Sequence, residues 1–283
     1  MNITVWKPKA LLFLLCFLLT PVAGFPQETV SQNESAPTER NLWADIGYAT
    51  LGVTASNVAL SFFNRLADFP FAHTTFETIW ENTINPDWFW ENGDRFLVNQ
   101  FGHAYQGSTY FTSARVNGFN FYQSILFVNL GAFMWEIALE PKSAINDVIT
   151  TRVSGPALGE MLNRLYLELD SSPFAGSKIG GFILSPINSY NKLFNRPARQ
   201  SGGGNIFDLS VRSGIEKSFA FLPGYENEEE TWNNPGGYID INVIYGDPFI
   251  QQSNKPYDHF ELYAGFSTNI ASYQAVIISD GYL

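Results

Sequence analysis

Cysteine is almost missing from this chain: of 283 residues only Cys16 is one, and it lies in an apolar run near the amino terminus. If that run is a leader removed at Ala23 or Gly24, the rest has no cysteine. Disulfides, thiolate metal ligation and cysteine nucleophiles are then excluded together. Charge is scarce too, at 15% of residues against roughly 25% in ordinary soluble domains. The basic share is the smaller one, 16 Lys and Arg against 27 Asp and Glu. A net charge of −11, with no basic stripe after Lys9, excludes a nucleic-acid partner, because phosphate binding needs a basic surface. Nucleophilic-serine motifs, a His-Glu-x-x-His pair and a phosphate-binding loop are all absent from the sequence.

Long hydrophobic runs are lacking as well. The strongest, residues 10–19, follows Lys7 and Lys9 and precedes small residues at 20–24. It is too short to span a bilayer comfortably, which takes about 20 residues, and the three-part layout is that of a secretory signal peptide. The expectation is an exported protein with a signal peptide at 1–24 and a polar, Pro-containing disordered linker at 25–40. Cys16 follows Leu14 and Leu15, so it does not read as a lipoprotein cysteine.

What the chain has in abundance is aromatic rings: 25 Phe, 13 Tyr and 7 Trp. Many aromatics, few charges and a mean hydropathy of −0.06 suit a β-barrel membrane protein, whose alternating strands dilute the hydropathy signal. A soluble aromatic-rich core has the same composition.

Residues 43–67 hold no proline and place Gly47, Gly52, Ala55 and Ala59 where one helix face can pack closely. Residues 68–92, broken by Pro70 and Pro86 and rich in Trp and Phe, read as an interfacial or packed loop. A second helix is expected over 94–116, stopped at Asn117-Gly118, and a third over 119–140, closed by Pro141. Ser143 is a candidate N-cap for a fourth helix reaching about Leu169, with a kink at Pro156. Residues 41–170 therefore read as a bundle of about four helices, and 171–204 as a Gly/Ser/Pro-punctuated connector. From there the period becomes two, with strands expected at 206–219, 237–245, 259–267 and 272–283 and a long acidic loop at 223–235. The fold class is α+β, a helical bundle followed by antiparallel strands that resemble the start of an outer-membrane barrel. Four strands are too few for a single-chain barrel, which needs at least eight. A truncated frame, an oligomeric barrel and a soluble open sheet each explain this, and the first is preferred.

Three polar clusters interrupt the apolar helices: Asn99-Gln-Phe-Gly-His103-Ala-Tyr105-Gln-Gly107, then Trp135-Glu136 with Glu140, then Ser143-Ala-Ile-Asn146-Asp147 with Thr151 and Glu160. Asn99 and His103 are four apart and share a helix face, as do Glu136 and Glu140. A bundle could bring His103, Glu136 and Asp147 together as an acid/base set or as ligands of a first-row metal. The other reading is a structural polar network of Asn99, His103, Tyr105, Arg115, Glu136, Glu140, Ser143, Asn146, Asp147, Thr151 and Glu160. Such a network fixes helix register, with Arg115 paired to one of the carboxylates.

The run from Asp94 to Ser108, with Ala114-Arg115, Gly118, Trp135-Glu136, Glu140, the stretch from Ser143 to Asp147 and Gly159-Glu160, resembles the DUF3943 family. These are bacterial proteins of unknown function, and the family domain corresponds to about residues 75–180. Ala104 stands where the family often has proline. The resemblance implies a signal peptide and a longer β-rich half like an outer-membrane barrel, which this chain would leave incomplete. It implies no catalytic residues. A looser pattern of Asn-x-x-x-His, Trp-Glu and an Asp-bearing helix is similar to small envelope proteins of the YfiM type and to VanZ-like proteins.

The expected function is that of an outer-membrane-associated protein without catalysis, its helical module plugging or gating a barrel or docking there. Its partners would be outer-membrane lipid and barrel-assembly machinery or another envelope protein, and no cofactor is expected. One alternative is a cell-envelope enzyme acting on lipid or glycan through His103, Glu136 and Asp147. A second is a soluble periplasmic binding protein.

Overall fold

A computed structural model describes residues 41–69, 72–84, 87–90, 98–173, 176–193, 205–217, 235–247, 249, 255–269 and 273–281. The expected signal peptide and linker at 1–40, residues 94–97 of the expected second helix, and the acidic loop at 223–234 lie outside them. The chain divides into two units, residues 1–202 and 203–283.

The first unit is helical. Helix α1 spans Leu42–Leu66, with the Asn41 side chain accepting from Ala44 N–H at 3.1 Å. Helix α2, Phe76–Ile84, forms inside the stretch expected to be a loop; Thr75 and Thr78 exchange backbone-to-hydroxyl bonds that start it before the next proline. A π-helical turn, Val98–Gly102, leads into α3, His103–Val116. The second expected helix is therefore wound differently at its start, and the four-residue face shared by Asn99 and His103 does not hold across that turn.

Helix α4, Phe121–Ala138, opens on a capping box in which the side chains of Asn120 and Gln123 each take the other's backbone N–H. Helix α5, Ile145–Ser171, carries Pro156. Its N-cap is Ala144 and not Ser143, because the Ser143 hydroxyl donates to the Glu136 carbonyl at 3.0 Å. The expected connector contains two short helices, α6, Ser177–Leu184, and α7, Pro186–Leu193.

Helix α3 is central in this unit and buried along most of its length. Small residues let its neighbours approach. A Cβ placed on Gly107 would lie 2.5 Å from the Thr151 carbonyl oxygen and 2.8 Å from Gly155 Cα, so α3 and α5 meet backbone to backbone. Gly159 makes room for Phe111, Gly131 for Tyr110, and Gly52 for Ser113.

Polarity in α1 runs opposite to that of an ordinary soluble helix. Its buried face carries Asp45, Asn57, Ser61 and Asn64 beside Ala49 and Val53, while Trp43, Leu51, Val58, Phe62 and Leu66 are exposed. By length and composition α1 could cross a membrane.

The second unit is an antiparallel sheet in the order β1-β2-β3-β4, with β1 Ile206–Lys217, β2 Pro235–Tyr245, β3 Phe260–Asn269 and β4 Tyr273–Gly281. The four antiparallel strands after the helices agree with the expected α+β class. Register aligns Val211, Ile241, Ala264 and Ile277 in one row across all four strands, and Ser213, Ile239, Phe266 and Ala275 in the next. Arg212, Asp240, Gly265 and Val276 form the row between. Because side chains alternate along a strand, one face is nearly all apolar and the other mainly polar. Much of the apolar face is open, with Ile215 87% exposed and Val211 61%, while Val243, Tyr245 and Phe260 towards one end of it are buried. On the polar face the Tyr263 hydroxyl donates to Asp240 at 2.9 Å and the Asn242 amide to Glu261 at 3.0 Å.

Candidate functional site: a carboxylate and histidine cluster beside a cavity

The residues with chemistry come from three helices of the first unit and the turn between two of them. His103 opens α3, and Glu136 lies in the last turn of α4. Glu140 stands in the turn beyond the end of α4 at Ala138, so the two glutamates do not share a helix face as expected. Asp147 sits in the first turn of α5. The tight turn after Pro141 brings α5 back against the end of α4. Ala144 N–H donates to Glu136 Oε2 at 2.7 Å, and the backbone of Phe89 bonds Ser143 and Ile145 on the other side.

Three buried or half-buried carboxylates result. Glu136, Glu140 and Asp147 each present an oxygen within 4.8 Å of the others. Each is oriented by a fixed donor: Ala144 N–H for Glu136, Trp135 Nε1 for Glu140 at 2.8 Å, and the Asn146 amide for Asp147 at 2.8 Å. Asn82 on α2 donates to the carbonyls of Ile137 and Glu140, holding the carboxy-terminal end of α4.

His103 adjoins the group through Asp147. Its Nδ1 is 3.2 Å from the Thr151 hydroxyl, and its Nε2 is 3.7 Å from Asp147 Oδ2, beyond hydrogen-bond length. The residue is only 4% exposed. Burial disfavours its charged form and lowers its pKa from 6.5 to about 4, leaving a neutral imidazole at physiological pH.

A cavity of about 1110 Å³ lies alongside. Leu51, Ala55, Ala59 and Leu60 of α1 and Ile187 and Tyr190 of α7 supply apolar wall. His103, Gln106, Trp135 and Glu140 supply a polar stretch of the same wall. The cluster therefore has access to a largely apolar space.

Two further polar groups lie apart from it. Arg115 reaches Glu160 with Nη2 at 3.0 Å from Oε1 and Nε at 2.8 Å from Oε2, and Arg164 joins the same carboxylate at 3.0 Å. Arg115 also donates to the Phe119 carbonyl at 2.8 Å. The carboxylate that Arg115 pairs with is thus Glu160, and neither residue lines the cavity. Tyr105 sends its hydroxyl to the Ile183 carbonyl at 2.7 Å, tying α3 to α6. The side chain of Asn99 lies outside the described atoms.

Sequence reasoning passed over one group beside the cluster. The Tyr110 hydroxyl bonds Asn57 of α1, accepts from Gln106 at 2.6 Å, and is held well above its ordinary pKa, first by burial and also by the nearby Glu136 and Glu140 charges. Asn57 in turn donates to the Gly131 carbonyl at 3.2 Å. An asparagine on an apolar helix was its one signal.

Residues 87–187 match the family model described as a domain of unknown function, DUF3943. Over that span the chain is similar to the DUF3943 family. The span begins and ends somewhat later than the 75–180 expected. All four cluster residues and the Arg115–Glu160 pair fall within it, whereas α1 and the sheet do not. Comparison with curated proteins and with solved structures gives no match.

Proposed function

We propose that this is an outer-membrane-associated protein whose DUF3943 domain, together with α1 and α7, binds an amphipathic molecule of lipid class. The observation that carries this reading is that His103 and Glu140 belong both to the cluster and to the wall of the apolar cavity. An acyl or isoprenoid chain would lie along α1 and α7, with its polar end at the cluster. Cavities of several hundred to a thousand Å³ with few convergent polar groups are the usual form of small-molecule sites.

The membrane part rests on the sheet. Strands of 9 to 12 residues match the 9–11 that cross a bilayer as tilted β-strands. Their apolar face suits lipid, and their polar face suits a barrel interior. The amino-terminal leader expected from the sequence is consistent with export.

His103 beside Asp147 gives the site the means for acid/base chemistry on the bound molecule, so the enzyme alternative gains support from the convergence. The non-catalytic reading keeps support from Arg115, Glu160 and Arg164, which bind α3 to α5 and do not line this cavity.

Protein purified in mild detergent should carry lipid, identified by mass spectrometry after organic extraction. Ala59→Trp fills the cavity from an exposed position on α1 and should remove at least nine-tenths of that lipid without lowering the melting temperature. Equal lipid in both proteins would defeat the proposal.

A further inference from the structure

We infer that the outer face of α1 lies in the acyl chains of a lipid layer, and that the cavity opens into that layer between α1 and α7. The inference rests on the reading that the cavity holds an amphipathic lipid. It adds where that lipid comes from: sideways, out of a membrane, without crossing water.

Polarity along α1 carries it. Residues 46–64 hold no Asp, Glu, Lys or Arg. At about 1.5 Å per residue that stretch runs about 28 Å, close to the roughly 30 Å of bilayer hydrocarbon. From Leu51 to Phe63 every exposed residue is Leu, Ala, Val or Phe, with Val58 58% and Phe62 62% exposed. The polar residues of the same interval, Thr54, Ser56, Asn57 and Ser61, are buried or half-buried. An apolar helix in the core of a soluble protein is covered all round, whereas only 22% of the most apolar 18 residues of α1 is buried.

The inward groups find their partners inside the protein. Thr54 Oγ1 donates to the Thr50 carbonyl and Ser56 Oγ to the Gly52 carbonyl, each at 2.9 Å, and Asn57 Nδ2 donates to the Gly131 carbonyl at 3.2 Å. Hydrocarbon offers neither donor nor acceptor, so a helix facing it must satisfy its polar groups internally. A protein partner would be met by a polar rim around the apolar patch. Here charge stands only near the helix ends, Asp45 at one and Arg65 and Asp68 at the other. Trp43, exposed at the amino-terminal end, is the residue type favoured at a membrane boundary.

The cavity supplies the second observation. Leu51, Ala55 and Ala59 are exposed on this face and also belong to the cavity wall, as does Tyr190 of α7. The mouth is thus bordered by the same apolar surface, and an acyl chain moving between layer and cavity meets apolar side chains throughout.

The test uses the full chain with Cys16→Ser and a single nitroxide-labelled cysteine, reconstituted into vesicles of ethanolamine and glycerol phospholipids. Labels at Val58→Cys and Phe62→Cys should collide with a water-soluble nickel chelate at least fivefold less often than a label at Asp170→Cys, and more often with oxygen. All three positions are exposed, so the variants should fold, as circular dichroism would show. Val58→Lys with Phe62→Lys should slow uptake of a fluorescent phospholipid from the vesicles at least tenfold, with the melting temperature unchanged. Nickel collisions at 58 and 62 as frequent as at 170, or uptake unchanged by the lysine pair, would each overturn the inference. Lipid is extracted from the same preparations. Nickel-accessible labels on protein that still carries lipid overturn the membrane face of α1 and leave the cavity reading standing. Shielded labels on protein whose lipid is unaffected by Ala59→Trp support that face and defeat the cavity reading.

Discussion

At the scale of single residues, His103 is the most informative. Its pKa falls from 6.5 to about 4 because burial disfavours the imidazolium. The unfolded chain takes up this proton near 6.5 and the folded chain does not until about 4. Stability from this residue is therefore full above pH 6.5, declines as pH falls through the window, and levels off near 4. The total loss is about 3 kcal/mol. In EDTA, urea unfolding of the wild type should lose stability between pH 7.5 and 4.5 by that order relative to His103→Asn. Parallel curves for the two proteins would show that His103 does not titrate as its burial requires. Glu160 makes a different kind of prediction. Removing its carboxylate leaves the Arg115 charge buried without that partner, and losing one member of a buried pair costs about 3–5 kcal/mol. Glu160→Ala should show that loss by chemical denaturation, with lipid retention by the protein that remains folded unchanged. A cost below about 1 kcal/mol would mean that the pair is solvated.

Helices and strands are the next scale, and here the close crossing of α3 and α5 decides how the cluster is assembled. Gly107 and Gly155 touch through their backbones, which sets the approach that places Asp147 and Thr151 against His103. Gly155→Ala would put a methyl where the Gly107 Cα already stands, an overpacking that costs about 1–3 kcal/mol. Its melting temperature should fall accordingly. An unaltered melting temperature would show that the helices have room to part.

Much of this scale was legible in the sequence. The expected extents of the first, third and fourth helices and of all four strands lie close to those observed, because apolar periodicity, Asn117-Gly118 and Pro141 mark them locally. Helix α2 was not legible, since Phe76, Trp80 and Ile84 look like an aromatic loop when read without their positions on a helix. Helices α6 and α7 were masked by the Gly and Pro punctuation around them. The meeting of His103 with Asp147 was readable only as a possibility, because it depends on the π-helical turn at Val98–Gly102 and on the backbone contact at Gly107. Neither has a period that a sequence displays. Ser143 was misassigned as a cap because its hydroxyl answers a carbonyl on another helix.

For the molecule as a whole, polarity is the unifying feature. Its sheet shows an open apolar face, and α1 turns Trp43, Leu51, Phe62 and Leu66 outward while burying Asp45 and Asn57. On the proposed reading these surfaces face lipid. Charges on the sheet's apolar face should be poorly tolerated, at roughly 2–4 kcal/mol for a basic residue at mid-bilayer depth. Val211→Lys with Ile241→Lys should abolish recovery in the outer-membrane fraction, while Ser210→Lys on the other face should not. Equal recovery of both would remove the barrel reading.

The central claim is that lipid occupies the cavity, and photo-cross-linking with a diazirine-bearing phospholipid tests it most directly. Peptide mapping of the labelled protein should place label on the α1 segment 51–60 and on Ile187 or Tyr190 of α7, and Ala59→Trp should erase it there. Label confined to the sheet's apolar face, with none at those cavity residues, would contradict the account.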